Sequence, residues 1–300
     1  MDKVGIIVLN YNGARDTLEC VESLSVIQFP KVIYVVDNAS TNADYELVKK
    51  KLEGKVILIR TEKNLGYAGG NNLGIKRALA DGCDYICVLN NDTESTMDFL
   101  TPCVKKLKED PQTGFVGPAI IDYTTGKVQS SGAMVSLFTG ESKLLNFGLS
   151  KKLLKKEIDC DYVGGACIIC SRKTIEKIGY IPECYFLFYE ETEWCIKAKK
   201  ENMKVLCLGD TTVQHKGSVS INKINGLNEY LMNRNRVAFI RRNCNHKIFA
   251  YAGYGWLIAT ELGRRILKKR TDINHIKYYR DGWKNKVDNK RFPFIIINER

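Results

Sequence analysis

The chain has 300 residues, enough for one large domain or one domain with an appendage. It is 44% hydrophobic and 27% charged, the balance of an ordinary globular protein, and no apolar run approaches the roughly 18 residues that span a bilayer. The net charge of +12 sits mostly in the tail: residues 241–300 carry 15 Lys and Arg against 5 Asp and Glu, and residues 1–240 carry 31 against 29.

No secretory signal is read at the start, where Met1-Asp2-Lys3 runs straight into a strand-like apolar stretch at 4–9. A helical period follows at 14–24, then a strand at 31–37 ending in Asp37, a helix at 44–52 and a strand at 56–60. A helix at 70–80, a strand at 85–89 and a helix at 97–108 complete four β-α units. Such a series predicts an α/β fold, an open, mostly parallel Rossmann-like sheet with helices on both faces. From 113 to 170 the pattern turns to strands and loops. Two helices are expected within 171–200, around Phe186-Leu187-Phe188-Tyr189, then short strands at 204–208 and 211–215, and helix beyond 222 to about 286. The expected organisation is a body, residues 1–221, and a basic helical C-terminal extension, residues 222–300.

The 11 Cys are scattered and odd in number, and several lie in apolar runs, as Cys87 does in Tyr-Ile-Cys-Val-Leu. Buried, reduced thiols in a reducing, cytoplasmic compartment are expected. Cys167 and Cys170 have metal-ligand spacing, but without a second pair or a neighbouring His a buried strand is the better reading.

In parallel sheets ligands bind beyond the carboxyl ends of the strands. Asn10-Tyr11-Asn12, Asp37-Asn38, Asn64-Leu65-Gly66 and Asn90-Asn91-Asp92 all fall at such ends. Each alone is ordinary turn chemistry; four together describe one rim. Asp37 either caps a turn or accepts a hydrogen bond from the imide of a uracil or thymine base. The glycines between Asn64 and Asn72 either let backbone approach a phosphate or form a plain turn. Ala68 stands where a GxGxxG fingerprint needs glycine, which disfavours a nicotinamide dehydrogenase. Asp92 either holds a hard divalent cation or caps a turn. Glu190, Glu191 and Glu193 either suit a helix N-terminus or include a general base. The aromatics just before them are a sugar-stacking wall or core. His215, one of 3 His, is structural or a second metal ligand.

In order, these pieces resemble the family 2 glycosyltransferases with the GT-A fold, most closely the rhamnosyltransferase-like branch that builds bacterial surface polysaccharides. The matching segments are 4–13, 35–41, 64–72 with Gly74, 88–93, 163–167, 188–195 and His215-Lys216-Gly217-Ser218. The resemblance implies a metal-dependent, inverting transfer of a sugar from a dTDP- or UDP-sugar, rhamnose among them, to a hydroxyl of a glycan or lipid-linked acceptor. It implies that Asn10, Tyr11 and Asp37 hold the nucleoside and that Asn64 and Gly69 lie near base and ribose. Asn90, Asn91 and Asp92 would occupy the DxD position, with Asp92 on Mg2+ or Mn2+. Gly165 would floor the donor sugar, Glu191 would be the catalytic base, and His215 a metal-proximal ligand. Two departures matter. The DxD position reads Asn-Asn-Asp, and the base position reads Glu-Glu-Thr-Glu where Glu-Asp-x-Asp is usual. The second leaves Glu190 or Glu193 open as the working acid.

The tail carries residues 248–260 without a charge, including Phe249, Tyr251, Tyr254 and Trp256, followed by Arg264, Arg265, Lys268, Lys269 and Arg270. This suits a helix lying in the headgroup layer of an anionic membrane, at its inner face. A packed helix with a solvated basic face, or a dimer contact, is the alternative, and the oligomeric state stays open. Nucleic acid fits the charge alone and is not an expected partner. A sugar-phosphate nucleotidyltransferase would need a basic, Gly-rich loop after the first strand, where Asn10-Tyr11-Asn12-Gly13 is a poor one. A non-catalytic, membrane-associated family member is kept open by the Glu-for-Asp change.

Overall fold

The structure, a computed structural model, describes residues 2–217, 226–268 and 274–297. The expected boundary at 221/222, Ser218, Lys269 and Arg270 lie outside the described residues, as does the side chain of Lys268. In chain order the first elements are β1 (Val4–Asn10), α1 (Ala14–Ser23), β2 (Lys31–Asp37), α2 (Asn42–Leu52), β3 (Ile57–Arg60), α3 (Gly66–Ala80), β4 (Tyr85–Asn90), β5 (Thr93–Glu94) and α4 (Leu100–Glu109). Then come β6 (Thr113–Asp122), β7 (Val128–Ser130), β8 (Ala133–Val135), β9 (Ser142–Leu144), β10 (Glu157–Asp159), β11 (Cys167–Ser171), α5 (Arg172–Ile178), α6 (Glu190–Lys200) and β12 (Lys204–His215). Among the described residues three helices follow: α7 (Leu227–Asn243), α8 (Lys247–Lys268) and α9 (Asn274–Trp283).

The main sheet runs β10-β12-β6-β11-β4-β1-β2-β3. β3, β2, β1 and β4 are mutually parallel, as four β-α units require, and β12 is parallel to β6. β11 enters antiparallel between β4 and β6. Both faces are covered, which is why β1 reads as an unbroken apolar run rather than an alternating one. Ile7 packs with Tyr34, Val36 and Ile75 on one face, and Ile6 and Val8 pack with Cys20, Val48 and Val104 on the other.

The same alternation settles the cysteine pair. Cys167 and Cys170 both lie on β11, an odd number of residues apart, so their side chains join opposite core clusters and cannot share an ion. Every cysteine is free, and all but Cys244 are buried.

Three local expectations shift. α3 begins at Gly66 rather than 70, because Asn64 Oδ1 accepts the Gly66 N–H (2.8 Å) and opens the helix a turn early. α4 begins at Leu100 rather than 97, because Asp98 Oδ1 takes the Leu100 and Thr101 N–H groups at 3.1 Å each. The two expected strands at 204–208 and 211–215 are one strand, β12, with a register shift between Leu208 and Thr212.

The C-terminal helices are built into the body. Ala238 and Phe239 of α7 join the core that holds Trp194 and Cys195 of α6. Leu227, Tyr230 and Tyr278 pack with Phe186.

Candidate active site

The parallel register sets the rim. Asn10 pairs with Asp37, Leu9 with Asn90, and Asp37 with Arg60, so these residues end four adjacent strands. At about 4.8 Å per strand, Asp37 and Asn90 stand roughly 10 Å apart. The third strand contributes Arg60, which the sequence reading passed over in favour of Asn64.

At the β2 end the Asp37 carboxylate is fully buried and accepts from Asn10 Nδ2 (2.9 Å) and the Ser40 N–H (3.2 Å), with Arg60 Nε at 3.6 Å. A recess of about 420 Å³ nearby is lined by Ala39, Ser40, Arg60, Thr61 and Glu62; Asp37 itself does not line it. Asn10 is a hub: its amide also reaches Ser40 Oγ (3.1 Å) and Asp44 Oδ2 (2.8 Å), and its Oδ1 accepts from Thr17 Oγ1 (2.8 Å). With these bonds made, its side chain is committed to shaping the rim. Tyr11 beside it is 44% exposed.

Gly66 takes a left-handed φ of 73° at the turn into α3, and the later glycines lie inside that helix. A Cβ at Gly70 would lie 2.4 Å from Leu9 Cδ1, and one at Gly74 would lie 2.5 Å from Ile7 Cγ2, so these glycines seat α3 on the sheet. Gly69 is buried against Leu65 of its own helix. Asn64 accepts the Asn38 amide (3.0 Å) and holds the turn.

The Asn-Asn-Asp positions have three distinct surroundings. Asn90 ends β4, its N–H bonded to the Ala166 carbonyl (2.9 Å). Asn91 turns away and donates to Thr17 Oγ1 (3.0 Å) on α1. Asp92 meets His215, which the pairing of Thr93 with His215 delivers. His215 Nδ1 lies 2.7 Å from Gln129 Oε1. A carboxamide oxygen only accepts, so Nδ1 carries a proton. Nε2 is buried without a hydrogen-bond partner, 3.2 Å from Asp92 Oδ1 but outside hydrogen-bond geometry. With the ring neutral, Nε2 and Asp92 Oδ1 would present two lone pairs to a shared cation. Among the described residues no group of three or more His, Cys, Asp and Glu gathers to enclose a metal, so other ligands would come from phosphate and water.

Glu191, in the first turn of α6, lies against Gly165. A Cβ at Gly165 would lie 2.9 Å from Glu191 Oε1, so a side chain there would push this carboxylate from its place. Tyr67 donates to the Gly165 carbonyl (2.9 Å). Gly165 precedes Ala166, whose carbonyl holds Asn90, and the acid and the DxD position therefore flank one short stretch of backbone. Glu191 lines a cleft of about 340 Å³ with Tyr162, Phe188, Tyr189, Thr192 and Arg236. Burial raises its carboxyl above the usual range. Glu190 is buried with Oε2 unpartnered, and burial, then the charge of Glu191, raises it well above that range.

Glu193 is different. Burial pushes its carboxyl up, but the two-pronged Arg242 guanidinium (2.9–3.1 Å), with Tyr185 and Asn243, outweighs burial and the net shift is downward. It is saturated, which removes it as a base. The segment before α6 is strained: Phe186, Phe188 and Tyr189 have φ of 69°, 71° and 75°. Bulky residues held there cost on the order of 1–3 kcal/mol each, and the polar contacts of α7 hold them.

The profile described as Glycosyl transferase family 2 matches residues 5–179, more than half of the chain. This chain belongs to that family. It is similar to the low-salt glycan biosynthesis hexosyltransferase Agl10 of Haloferax volcanii, 29% identical over 211 residues, which are 68% of this chain and 64% of that protein. It thus spans just under two thirds of that relative's length. The dTDP-rhamnosyl transferase RfbF of Shigella flexneri is 26% identical over 229 residues, 70% of this chain and 71% of that one. A crystal structure of GalNAc-T7 with UDP, GalNAc and Mn2+ matches with a TM-score of 0.61 at 14% identity, covering 87% of this chain and 58% of that chain. The likeness is one of fold, and the fold is GT-A, as the sequence resemblance implied.

Proposed function

We propose that this family 2 glycosyltransferase moves a sugar from a dTDP- or UDP-sugar to a hydroxyl of a glycan or lipid-linked acceptor in surface polysaccharide synthesis, with inversion and with a divalent metal. The observation that carries this reading is the Glu191 carboxylate against Gly165, one residue from the backbone that binds Asn90. That arrangement supports an acid and a diphosphate site on two walls of one cleft.

In this reading the nucleobase enters the recess lined by Ser40 and Arg60, with Asp37 behind them orienting Ser40 and Asn10, and with Tyr11 exposed to cover it. Asn64 and Gly69 keep α3 in place behind the ribose, and Asn90 and Asn91 shape the turn that presents Asp92. Asp92 Oδ1 and His215 Nε2 would hold Mg2+ or Mn2+. When bound, such an ion offsets the charge that grows on the departing diphosphate. Gly165 leaves the floor clear for the donor sugar. Glu191 takes the acceptor proton as the hydroxyl oxygen attacks the anomeric carbon from the face opposite the diphosphate, and one displacement inverts the centre. A positioned base contributes on the order of 10²–10⁴-fold in rate.

The test is a thermal-shift titration with UDP and dTDP, with and without Mn2+ or Mg2+. A ligand that binds the folded state raises the melting temperature. We expect a shift that grows with the divalent ion in the wild type and loses that growth in Asp92→Asn and in His215→Ala. A metal-dependent shift that survives in both variants contradicts the metal site.

The same reading sets the protein at the cytoplasmic face of a membrane. No described helix is long and apolar enough to cross one. The outward stripe of α8 supports surface contact instead. Ile248, Ala252, Gly255, Ala259, Leu262 and Ile266 recur at helical spacing and are all exposed, Ile248 and Ile266 at 80%. Arg265 is not part of the basic surface, since it is buried and pairs with Glu261 at 3.3 Å.

A further inference from the structure

The loop that presents Glu191 is held by a residue far from it in sequence. Asn235, on α7 and fully buried, donates from one amide nitrogen to the carbonyls of Tyr185 (3.1 Å), Leu187 (2.7 Å) and Phe188 (3.1 Å). These carbonyls belong to the turn in which Phe186, Phe188 and Tyr189 are left-handed. A left-handed run of aromatic residues has no local preference for that shape. Its carbonyls face inward on one point, and the Asn235 amide fills that point. Relaxation of the turn would rotate Tyr189, the residue that caps α6, and swing Glu191 off Gly165.

The orientation of that amide is itself set. Arg234 Nη1 donates to Asn235 Oδ1 (2.7 Å) and to the Cys184 carbonyl (2.8 Å), which leaves only the NH₂ side of Asn235 facing the turn. Arg234 is fully buried and is braced by the Lys286 carbonyl (3.1 Å) and Asn285 Oδ1 (2.9 Å), beyond α9. Two further ties hold the turn from other sides. Tyr67 N–H donates to the Phe186 carbonyl (2.8 Å), and Tyr189 OH donates to the Gly140 carbonyl (2.7 Å). Neither Asn235 nor Arg234 lines the cleft.

We propose that Asn235, oriented by Arg234, is the positioning residue for Glu191, so that helix α7 and the segment just after α9 hold the catalytic carboxylate in place. This rests on Glu191 as the base. The prediction is a split: chemistry suffers while the nucleotide site, on the far side of the sheet rim, does not.

The test is Asn235→Asp. This variant keeps the shape and gives Arg234 a carboxylate partner, but it removes the donor to the turn. We expect kcat for transfer to fall about 100-fold, the scale of roughly 1 Å of misplacement, with the Kd for UDP or dTDP measured by calorimetry unchanged within about twofold. Asn235→Ala is measured in parallel in case the carboxylate prevents folding. The double variant with Glu191→Gln separates the two claims, because residues acting through one group are not additive. It should be no slower than Glu191→Gln alone. Turnover within about threefold of wild type in either Asn235 variant overturns the proposal, as does a parallel loss of nucleotide affinity in both, or losses that multiply in the double variant. Near-normal turnover in Glu191→Gln alone defeats the base assignment, which is a separate failure.

Discussion

Glu191 and Glu193 share the first turn of α6 and have opposite surroundings. Burial raises the Glu191 carboxyl, and the Arg242 fork with two further donors brings Glu193 down against burial. Carboxylates whose environments push them apart take different roles: the raised one suits proton abstraction, and the lowered one ties α6 to α7. A pH prediction follows with a definite sign. The base must be ionised to act, so turnover should fall on acidification through the raised value of Glu191. The acid limb of the kcat–pH profile should therefore lie above the ordinary glutamate value of about 4.3. A limb at or below that value contradicts a buried base. At this scale the sequence was partly legible. That Asp37 and the turn at 90–92 stand at strand ends could be read, because apolar runs stop there at polar residues. Asn91 could not be told apart from Asp92: its amide donates to Thr17, a bond that an aspartate there could not make. Arg60 carried no local signal, and only the pairing of β3 with β2 shows that it ends its strand beside Asp37.

Among the elements, the four β-α units were legible because apolar runs covered on both faces alternate with helical periods, and local chemistry sets both. The insertion of β11 between β4 and β6 was not, because it depends on pairings between residues 53 to 86 positions apart. The glycines of α3 illustrate a second limit. Their spacing looked like a ligand loop or a turn, yet Gly70 and Gly74 are four apart on one helix face and let α3 sit against Leu9 and Ile7. A sequence cannot separate close approach to a phosphate from close approach to a strand. The Asn235 tie was invisible for a related reason: it joins α7 to a turn 47 to 50 residues away, and neither end has a distinctive pattern of its own.

Across the whole molecule the uneven charge and the outward face of α8 point the same way. An apolar stripe within a strongly basic tail would repel a second copy of itself and attract an anionic surface, at about 1 kcal/mol for each cation near the lipid. Flotation with vesicles containing an anionic lipid should carry the wild type at low salt. A triple variant, Phe249→Ser, Trp256→Ser and Ile266→Ser, should stay behind, since all three side chains are exposed and their loss leaves the core intact. Equal soluble fractions would end the membrane reading. The account as a whole rests on a single cleft in which the donor diphosphate and the Glu191 carboxylate address one anomeric carbon. Its most direct test is Glu191→Gln, assayed for sugar transfer and, on the same sample, for nucleoside-diphosphate binding. The account predicts a loss of about 10²–10⁴-fold in turnover with nucleotide affinity retained; turnover close to wild type, with the nucleotide bound as before, would contradict it.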